Sequence, residues 1–302
     1  MEPVTQMILI EKSDLLYYLI DGVILFAFLA LLRIAANTIT GFSLTEVLAT
    51  DDNTAAGIAF AGAIIAISIL MMGVTSGGVG NTYINEITLM VIYGVSAILL
   101  LWLTRTLFDR LSLPDLNLHT EVMQGNIAAA ITDAANMIAS AMIVRATMIW
   151  VDGATFLGMV SVIALYIVSQ LILYLATQYR IRLFQQHHGS KGVTLQSTLK
   201  SGNSALALRF SGYRLGVALA LTATSGMIIY DPLQISLSIT SWTAVAVVLF
   251  ITQTLLSWLL RQILLPSINV EEEVVDQQNS AIGAIEAAIF IGVGFSFVGL
   301  LG

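Results

Sequence analysis

The stretch Asp52-Asn53-Thr54-Ala55-Ala56-Gly57-Ile58 opens an apolar run that continues to Val74, and a similar stretch returns three more times along the chain. An apolar run of about 20 residues is long enough for an α-helix to cross a membrane. Self-similarity at a nearly fixed interval indicates a fold that is assembled from repeated units. The copies are marked by asparagines at intervals of 73, 77 and 76 residues, namely Asn53, Asn126, Asn203 and Asn279.

The overall composition excludes a water-soluble domain. Of the 302 residues, 57% are hydrophobic and 10% are charged, and the mean hydropathy is +0.89. A soluble domain carries about 25% charged residues because its surface faces water. We therefore expect an all-α polytopic membrane protein in contact with the lipid bilayer. The eight predicted spans are Leu15–Leu32, Asn53–Val74, Ile87–Leu107, Asn126–Trp150, Ala154–Tyr179, Ser204–Ile229, Ile235–Leu260 and Asn279–Leu301.

The charges of the connecting segments predict the orientation of the spans. Short connections carry the acids Glu86, Asp152 and Asp231 and no basic residue, whereas the long connections hold eight of the twelve basic residues. Cytoplasmic loops of membrane proteins are enriched in lysine and arginine. The long connections, including Ile181–Gly202, are therefore predicted to be cytoplasmic loops, with both termini outside the cytoplasm. The eight basic residues are Arg33, Arg105, Arg110, Arg180, Arg182, Lys191, Lys200 and Arg261.

Each repeat unit consists of a leading helix, a basic connection and a helix that begins at the asparagine. Because each unit contains two spans, the four units are predicted to be parallel repeats around an axis along the membrane normal. Phe60 and Phe210 stand seven residues after the asparagine in the first and third units, whereas Asp133 and Glu286 do so in the others. This alternation predicts pseudo-twofold and approximate pseudo-fourfold symmetry. The two pairs of units cover residues 1–150 and 151–302 of a single integral membrane domain.

Two features of the asparagine helices suggest distinct roles. At positions two, four, nine and thirteen after the asparagine, every copy has glycine or alanine, and small side chains let membrane helices approach closely. The asparagines have two possible roles, either as helix N-caps at the membrane surface or as a ring of amides at the mouth of a shared cavity. The predicted helix-packing residues are Gly62, Ala135, Gly212, Gly216, Ala288 and Gly292.

Four ionisable residues lie well inside the predicted asparagine helices: Asp133, Glu286, Arg209 and Arg214. An ionisable group at this depth normally faces the protein interior or a wet cavity. One interpretation is that the two acids bind a proton or a cation, and the other is that they form structural ion pairs between helices. If the four seventh positions surround one axis, Arg214 is expected to pair with one carboxylate, and Arg209 is less well placed for the other.

No pattern in the sequence indicates an enzyme. The chain has no cysteine, and its three histidines lie in predicted loops without the carboxylate spacing of a metal site. Neither a zinc-protease helix motif nor a serine-hydrolase elbow is present. We expect no catalytic residue, metal or cofactor, and the net charge of −7 argues against nucleic-acid binding. The acidic run at residues 271–273 is interpreted as a solvated cytoplasmic segment, with partner docking as the alternative.

The repeated motif resembles that of the bacterial "domain of unknown function 350" membrane proteins. Members usually carry two such hairpins, so this chain resembles a double-length member with four two-helix repeats. The resemblance implies a bacterial inner membrane and association with membrane-stress systems of the phage-shock kind. The later copies of the motif are Gly125-Asn126-Ile127-Ala128-Ala129-Ala130-Ile131, Gly202-Asn203-Ser204-Ala205-Leu206-Ala207-Leu208 and Gln278-Asn279-Ser280-Ala281-Ile282-Gly283-Ala284.

Two functions are compatible with these features. The first is a transport-like protein that moves a proton, an ion or a small solute along the faces of the asparagine helices. The alternative is a non-catalytic membrane scaffold that recruits a cytoplasmic membrane-stress protein through its charged loops. A hydrated path between the helices would favour transport, whereas a dry core would favour the scaffold.

Overall fold

The computed structural model describes residues 14–40, 44–75, 82–151, 156–189 and 192–302, and these residues form helices without a β-strand. The predicted loop residues Asp152 and Lys191 lie outside the described residues. Within these described ranges, two π-helical turns, Phe108–Ser112 and Glu272–Asp276, accompany the α-helices. The α-helices are α1 (Asp14–Thr40), α2 (Leu44–Ala49), α3 (Thr54–Thr75), α4 (Tyr83–Leu107), α5 (Leu118–Met123), α6 (Ile127–Trp150), α7 (Phe156–His188), α8 (Leu195–Lys200), α9 (Ser204–Met227), α10 (Ile235–Leu264) and α11 (Ser280–Leu301).

Seven of the eight predicted spans are helices that are long and apolar enough to cross a membrane, namely α1, α3, α4, α6, α7, α10 and α11. The eighth, α9, is a helix of similar length that fails this criterion. It carries Arg209 and Arg214, which lower its hydropathy. Most of its side chains are buried against neighbouring helices, so α9 has little surface that must be apolar to face lipid.

The long connection after the fifth span is more helical than the sequence predicts. The prediction of a loop over Ile181–Gly202 is wrong for most of this segment, because α7 continues to His188 and α8 covers Leu195–Lys200. Hydropathy marks where the apolar part of a helix ends, whereas a helix can continue into its polar surroundings. A reciprocal cap between Thr194 and Ser197 then starts α8.

The long helices form two layers. In one layer the four asparagine helices α3, α6, α9 and α11 stand in that order, each packed against the next. In the other layer the leading helices pack over the junctions, α4 against α3 and α6, α7 against α6 and α9, and α10 against α9 and α11. Within the described residues this row is open, since α3 and α11 stand at its two ends. The predicted pseudo-fourfold ring is therefore not confirmed.

Each asparagine helix begins with the same backbone turn. The residue before the asparagine has a positive φ in every unit, and a short helical segment precedes that residue by a few positions. Glycine adopts this conformation without strain in the second and third units, whereas the first and fourth use a polar side chain. The four residues are Asp52, Gly125, Gly202 and Gln278, with φ values of 49°, 85°, 87° and 53°.

Candidate functional site

The four repeat asparagines cap the helices that follow them. In each unit the side-chain oxygen Oδ1 accepts a hydrogen bond from a backbone N–H in the first helical turn, which otherwise has no partner. This geometry agrees with the capping interpretation. The donor–acceptor distances are 3.0 Å at Asn53, 3.1 Å at Asn126, 2.9 Å at Asn203 and 3.1 Å at Asn279.

The other end of the same amide links successive units. In the first three units Nδ2 donates to two backbone carbonyl groups at the end of the short helical segment of the next unit. The amides therefore have backbone partners in the neighbouring unit and do not form a ring around a shared cavity. The bonds run from Asn53 to Val122 and Met123 at 3.1 Å each, from Asn126 to Leu199 and Lys200 at 3.1 and 3.0 Å, and from Asn203 to Val274 and Val275 at 2.9 and 3.3 Å.

Asp133 is completely buried in α6 and forms an ion pair with Arg105, which lies near the end of α4. The distance between Asp133 Oδ2 and Arg105 Nη2 is 2.9 Å. The arginine side chain is 31% exposed, so the pair connects a buried carboxylate to a partner that reaches the surface. The partner comes from the leading helix of the same unit.

Arg214 does not pair with either buried carboxylate, and this corrects the expected arrangement. Its Nη2 donates to Asn136 Oδ1 at 2.6 Å, and its Nη1 donates to Thr177 Oγ1 at 3.0 Å. Its guanidinium group also lies 4.3 Å from the centre of the Phe108 ring. The asparagine helices stand in a row, so their seventh positions do not surround the common axis that would bring Arg214 to them.

Glu286 and Arg209 belong to a second ion-pair network, between α9, α10 and α11. Arg209 contacts Glu286 through Nε and binds both carboxylate oxygens of Glu271 at 2.6 and 2.9 Å. Arg261, near the end of α10, lies 3.3 Å from the other oxygen of Glu286. Arg209 and Glu286 are buried, and Glu271 is three-quarters buried. The interpretation of residues 271–273 as a solvated run is therefore wrong for Glu271.

Glu271 lies outside the apolar spans, in the segment between α10 and the second π-helical turn. Its burial raises the pKa of the carboxyl group, but the hydrogen bonds and charge of Arg209 outweigh burial and hold the pKa at about 2. Glu271 is therefore a carboxylate at neutral pH, and it fastens this segment to α9.

A cavity of about 610 Å³ adjoins this network, at the ends of α7, α9 and α10 that carry the basic residues. Arg180 lies in its wall, with its guanidinium group 4.7 Å from the ring centre of Tyr213 and 5.4 Å from that of Phe290. In the part of the chain that the structure describes, Arg180 has no ion pair with an acid. The remaining lining combines charged and apolar side chains, including Arg209, Arg261, Glu271, Trp258, Phe184 and Phe290.

The charges around this cavity do not balance. Three guanidinium groups, those of Arg180, Arg209 and Arg261, face the two carboxylates of Glu271 and Glu286. The two carboxylates are paired with Arg209 and Arg261. The uncompensated charge is that of Arg180, which is stabilised by the faces of two aromatic rings.

The predicted helix-packing residues divide into two groups. Gly62, Ala135, Gly212 and Gly216 are buried where neighbouring asparagine helices meet. A Cβ atom built on Gly212 would overlap the Cα atom of Ala287 in α11, so this contact requires glycine. The equivalent residues of α11 do not pack against another described helix, in contrast to the prediction. Ala288 and Gly292 are exposed, and a Cβ on Gly292 would meet no atom within 4 Å.

Sequence reasoning missed the arginines that complete the networks. Arg105, Arg180 and Arg261 each lie near the end of a leading helix. The enrichment of basic residues in cytoplasmic loops is enough to explain their positions, so these positions alone do not indicate ion pairs. Two features of the sequence could have identified these ion pairs. Successive units carry an arginine near the end of the leading helix, and two of the asparagine helices carry an acid at the seventh position. Asn136, which binds Arg214, has no equivalent signal in the repeat.

Comparisons with known proteins identify one family. The family model described as Domain of Unknown Function (DUF350) matches three overlapping regions, residues 9–148, 82–191 and 155–301. The first and third matches each include two of the repeat units, and the second overlaps both, as expected for a chain of similar units. No curated protein and no solved structure matches the chain significantly.

Proposed function

Because this chain belongs to the family Domain of Unknown Function (DUF350), whose description names no activity, we propose a function from the charged cavity beside Arg180. The proposed function is the binding and transfer of an organic anion by a multi-pass protein of the bacterial inner membrane. The anion enters the cavity between α7, α9 and α10 from the cytoplasmic side.

The proposed topology has eight spans, with α9 included as a central span that contacts other helices rather than lipid. The four two-helix units are parallel and form two pairs, residues 1–150 and 151–302, of a single integral membrane domain. The basic ends of α4, α7 and α10 lie at the cytoplasmic surface because arginine and lysine are enriched there. Both ends of this sequence then lie on the exported side, and the cavity faces the cytoplasm.

The uncompensated charge of Arg180 is the observation that carries the proposal. Arginine stays charged in proteins, and the side chain of Arg180 is only partly exposed, so a partner would stabilise its charge. The rings of Tyr213 and Phe290 stabilise the guanidinium group in part, but they leave its hydrogen-bond donors for another group. An anion in the cavity would accept these hydrogen bonds and bring the net charge of the site close to zero.

The size and lining of the cavity favour an organic anion over a simple ion. Sites for small molecules commonly have volumes of about 300–1,000 Å³ and combine apolar walls with a few polar groups. Trp258, Phe184 and Phe290 supply apolar surface beside the arginines. A carboxylate, sulfonate or phosphate attached to an apolar group would use both parts of the site.

Binding of a proton or cation by Asp133 and Glu286, one of the interpretations from the sequence, is less well supported. Each of these carboxylates already has an arginine partner. A cation would therefore have to displace Arg105, Arg209 or Arg261. The cavity instead offers excess positive charge, and this favours an anion.

The scaffold alternative would use the acidic residues 271–273 to dock a cytoplasmic membrane-stress protein. All three side chains have partners within the chain, since Glu271 binds Arg209, Glu272 accepts a hydrogen bond from Asn269 at 3.3 Å, and Glu273 accepts one from Asn279. Of the three, only Glu272 is exposed. This use of the acidic run inside the fold favours the anion-binding function over docking at this segment.

The test uses benzenesulfonate, an anion that stays ionised and carries an apolar ring. We expect calorimetric binding to the protein in lipid nanodiscs, and weaker binding to methanesulfonate, which lacks the ring. Arg180→Gln should abolish binding while the protein stays folded. Arg182→Gln removes the same charge from an exposed position on the same helix and should bind normally.

Transfer across the membrane is measured separately, as uptake of radiolabelled benzenesulfonate into proteoliposomes that contain the protein. Uptake that depends on Arg180 and not on Arg182 supports transfer. Binding without uptake would contradict transfer and leave an anion-binding membrane protein. Absence of binding, or equal loss in both variants, would overturn the anion site.

A further inference from the structure

The row of asparagine helices repeats one contact three times. The face that carries the ninth residue after the asparagine packs against the eighth residue of the next asparagine helix. This contact joins Gly62 to Ala134 between α3 and α6, and Gly212 to Ala287 between α9 and α11. Between α6 and α9 the eighth residue, Ser211, donates a hydrogen bond to the backbone of α6 at 3.3 Å. The contact is therefore heterologous, because it joins two different faces.

Each contact is accompanied by the amide link described above. The asparagine of one unit donates to the carbonyl groups that end the short helical segment of the next unit. A junction between units thus has two parts, a close helix contact on the apolar side and a hydrogen-bonded link at the start of the helix. All three junctions within the chain have both parts.

The last unit exposes the face that the other three units bury. Ala281, Ala288 and Gly292 are exposed on α11, although the residues at the same repeat positions in α3, α6 and α9 are buried. Gly292 and Gly299 have no atom within 4 Å of a built Cβ, so this face of α11 has room for a closely packed helix.

The first unit exposes the opposite face. Ala61 is the eighth residue after Asn53, and it is exposed together with Ile64 and Ile65 on α3. The residues that match the carbonyl acceptors of the later units are Ala49 and Thr50, which are also exposed. The two ends of the row therefore carry the two complementary halves of the junction that is used three times inside the chain.

We propose that a second copy of this chain covers the exposed face of α11, with its α3 packed there as α6, α9 and α11 pack against their predecessors. Asn279 then donates to the carbonyl groups of Ala49 and Thr50 in the next copy. Its present bond to Glu273, at 2.8 Å, is no obstacle. Asn126 makes the equivalent bond to Glu121 at 3.1 Å while also donating to Leu199.

The assembly is head to tail and parallel, because it continues a contact between parallel units. A heterologous contact gives a closed ring if its rotation closes and an open chain if it does not. Small side chains let membrane helices approach closely, and van der Waals packing then drives their association, because lipid supplies no hydrophobic effect between helices. The inference is independent of the proposed anion site, which lies between α7, α9 and α10.

Cysteine crosslinking tests the proposal directly, since the chain has no native cysteine. Ala288→Cys and Ala61→Cys copies are prepared separately, mixed in lipid nanodiscs or vesicles, and oxidised. The mixture should give a disulfide-linked dimer, whereas neither variant alone should do so, because the contact joins different faces. The double variant should give a ladder of oligomers or a single closed ring.

The control replaces Ala288→Cys by Val248→Cys, an exposed position on α10 outside the proposed contact. Its mixture with Ala61→Cys should crosslink much less. Gly292→Phe in the Ala288→Cys copy should suppress the dimer without lowering thermal stability, since this position is open in a single copy. Equal crosslinking in the control, a dimer from Ala288→Cys alone, or no dimer from the mixture would overturn head-to-tail assembly.

Discussion

The repeat asparagine does two tasks with one side chain. Its oxygen caps the helix that follows, and its nitrogen fastens that helix to the next unit. Serine, threonine and aspartate can cap a helix as well as asparagine does, but an amide adds a donor beside the cap. The second task therefore explains the asparagine of the first three units better than capping alone, whereas Asn279 donates to Glu273 of its own unit.

Asn203→Asp should separate the two tasks. Aspartate keeps the cap, but it removes the donor to Val274 and Val275 and places a negative charge beside their carbonyl oxygens. Because Asn203 is completely buried, we expect a loss of unfolding free energy of about 1–3 kcal/mol. The loss is measured by denaturation in detergent micelles. Asn117→Asp changes an exposed N-cap of α5 and should cost much less. Equal losses would show that the amide link between units contributes nothing.

The buried pair Arg105–Asp133 provides a second test at single residues. Arg105→Gln leaves a completely buried carboxylate without its cation, which costs about 3–5 kcal/mol in comparable cases. Adding Asp133→Asn should restore most of the stability, because it removes the stranded charge. Asp133→Asn alone should cost less than Arg105→Gln, since the partly exposed arginine can still reach water. Thermal unfolding of the three variants gives the comparison, and absence of rescue would contradict the pairing.

At the scale of helices, backbone contact fixes which glycines are required. Gly212 touches α11 so closely that a methyl group would overlap the backbone of Ala287. Gly292, four residues beyond the ninth position in its own unit, is open. The same repeat pattern thus has different consequences in the middle of the row and at its end.

Gly212→Ala and Gly292→Ala should therefore have opposite effects in micelles that hold single copies. Gly212→Ala forces two helices apart, and we expect a loss of about 1–3 kcal/mol in unfolding free energy. Gly292→Ala adds a better helix former without a clash and should stabilise the protein by roughly 0.5–1 kcal/mol. Chemical denaturation of both variants measures the difference. A loss at Gly292 equal to that at Gly212 would contradict the open face of α11.

The segment before α11 is fastened to α9 by Glu271, and this contact should depend on pH. The pKa of Glu271 is about 2 in the folded protein, below its ordinary value of 4.5. A lowered pKa stabilises the fold above pH 4.5, and this contribution is lost as pH falls from 4.5 toward 2. As the pH is lowered across this range, the melting temperature should fall less steeply in Glu271→Gln than in the wild type. Glu272→Gln removes an exposed neighbouring charge and should leave the slope unchanged.

The long helices were predictable because their apolar runs and terminal asparagines are local signals. α3 and α6 begin one residue after the predicted asparagines. The short helices α5 and α8 are polar, and hydropathy therefore predicts loops at these positions. Arg261 and Glu286 are 25 residues apart, and only the packing of α10 on α11 brings them together. The enrichment of arginine in cytoplasmic loops already explains the positions of the arginines near the ends of the leading helices, so these positions alone do not indicate that the arginines also form ion pairs with buried acids.

For the whole molecule, the two layers explain why the described helices form an open row rather than a ring. The leading helices α4, α7 and α10 each pack over the junction of two asparagine helices, so both layers join successive units. The largest buried cluster contains side chains from both halves, including Leu70, Met90, Tyr166, Val217 and Trp242. An arrangement of this kind can be extended at either end, whereas a closed pseudo-fourfold bundle cannot.

The orientation of the whole molecule is the last expectation to be tested. The basic ends of α4, α7 and α10 predict that Gly192, between α7 and α8, is cytoplasmic, and that Gly302 is exported. Alkaline phosphatase, which is active only after export, should be active when fused after Gly302 and inactive when inserted after Gly192. Green fluorescent protein, which folds in the cytoplasm, should show the reverse pattern. If α9 did not cross the membrane, the two sites would lie on the same side, so equal behaviour of the two fusions would exclude the eight-span topology and the cytoplasmic opening of the Arg180 cavity.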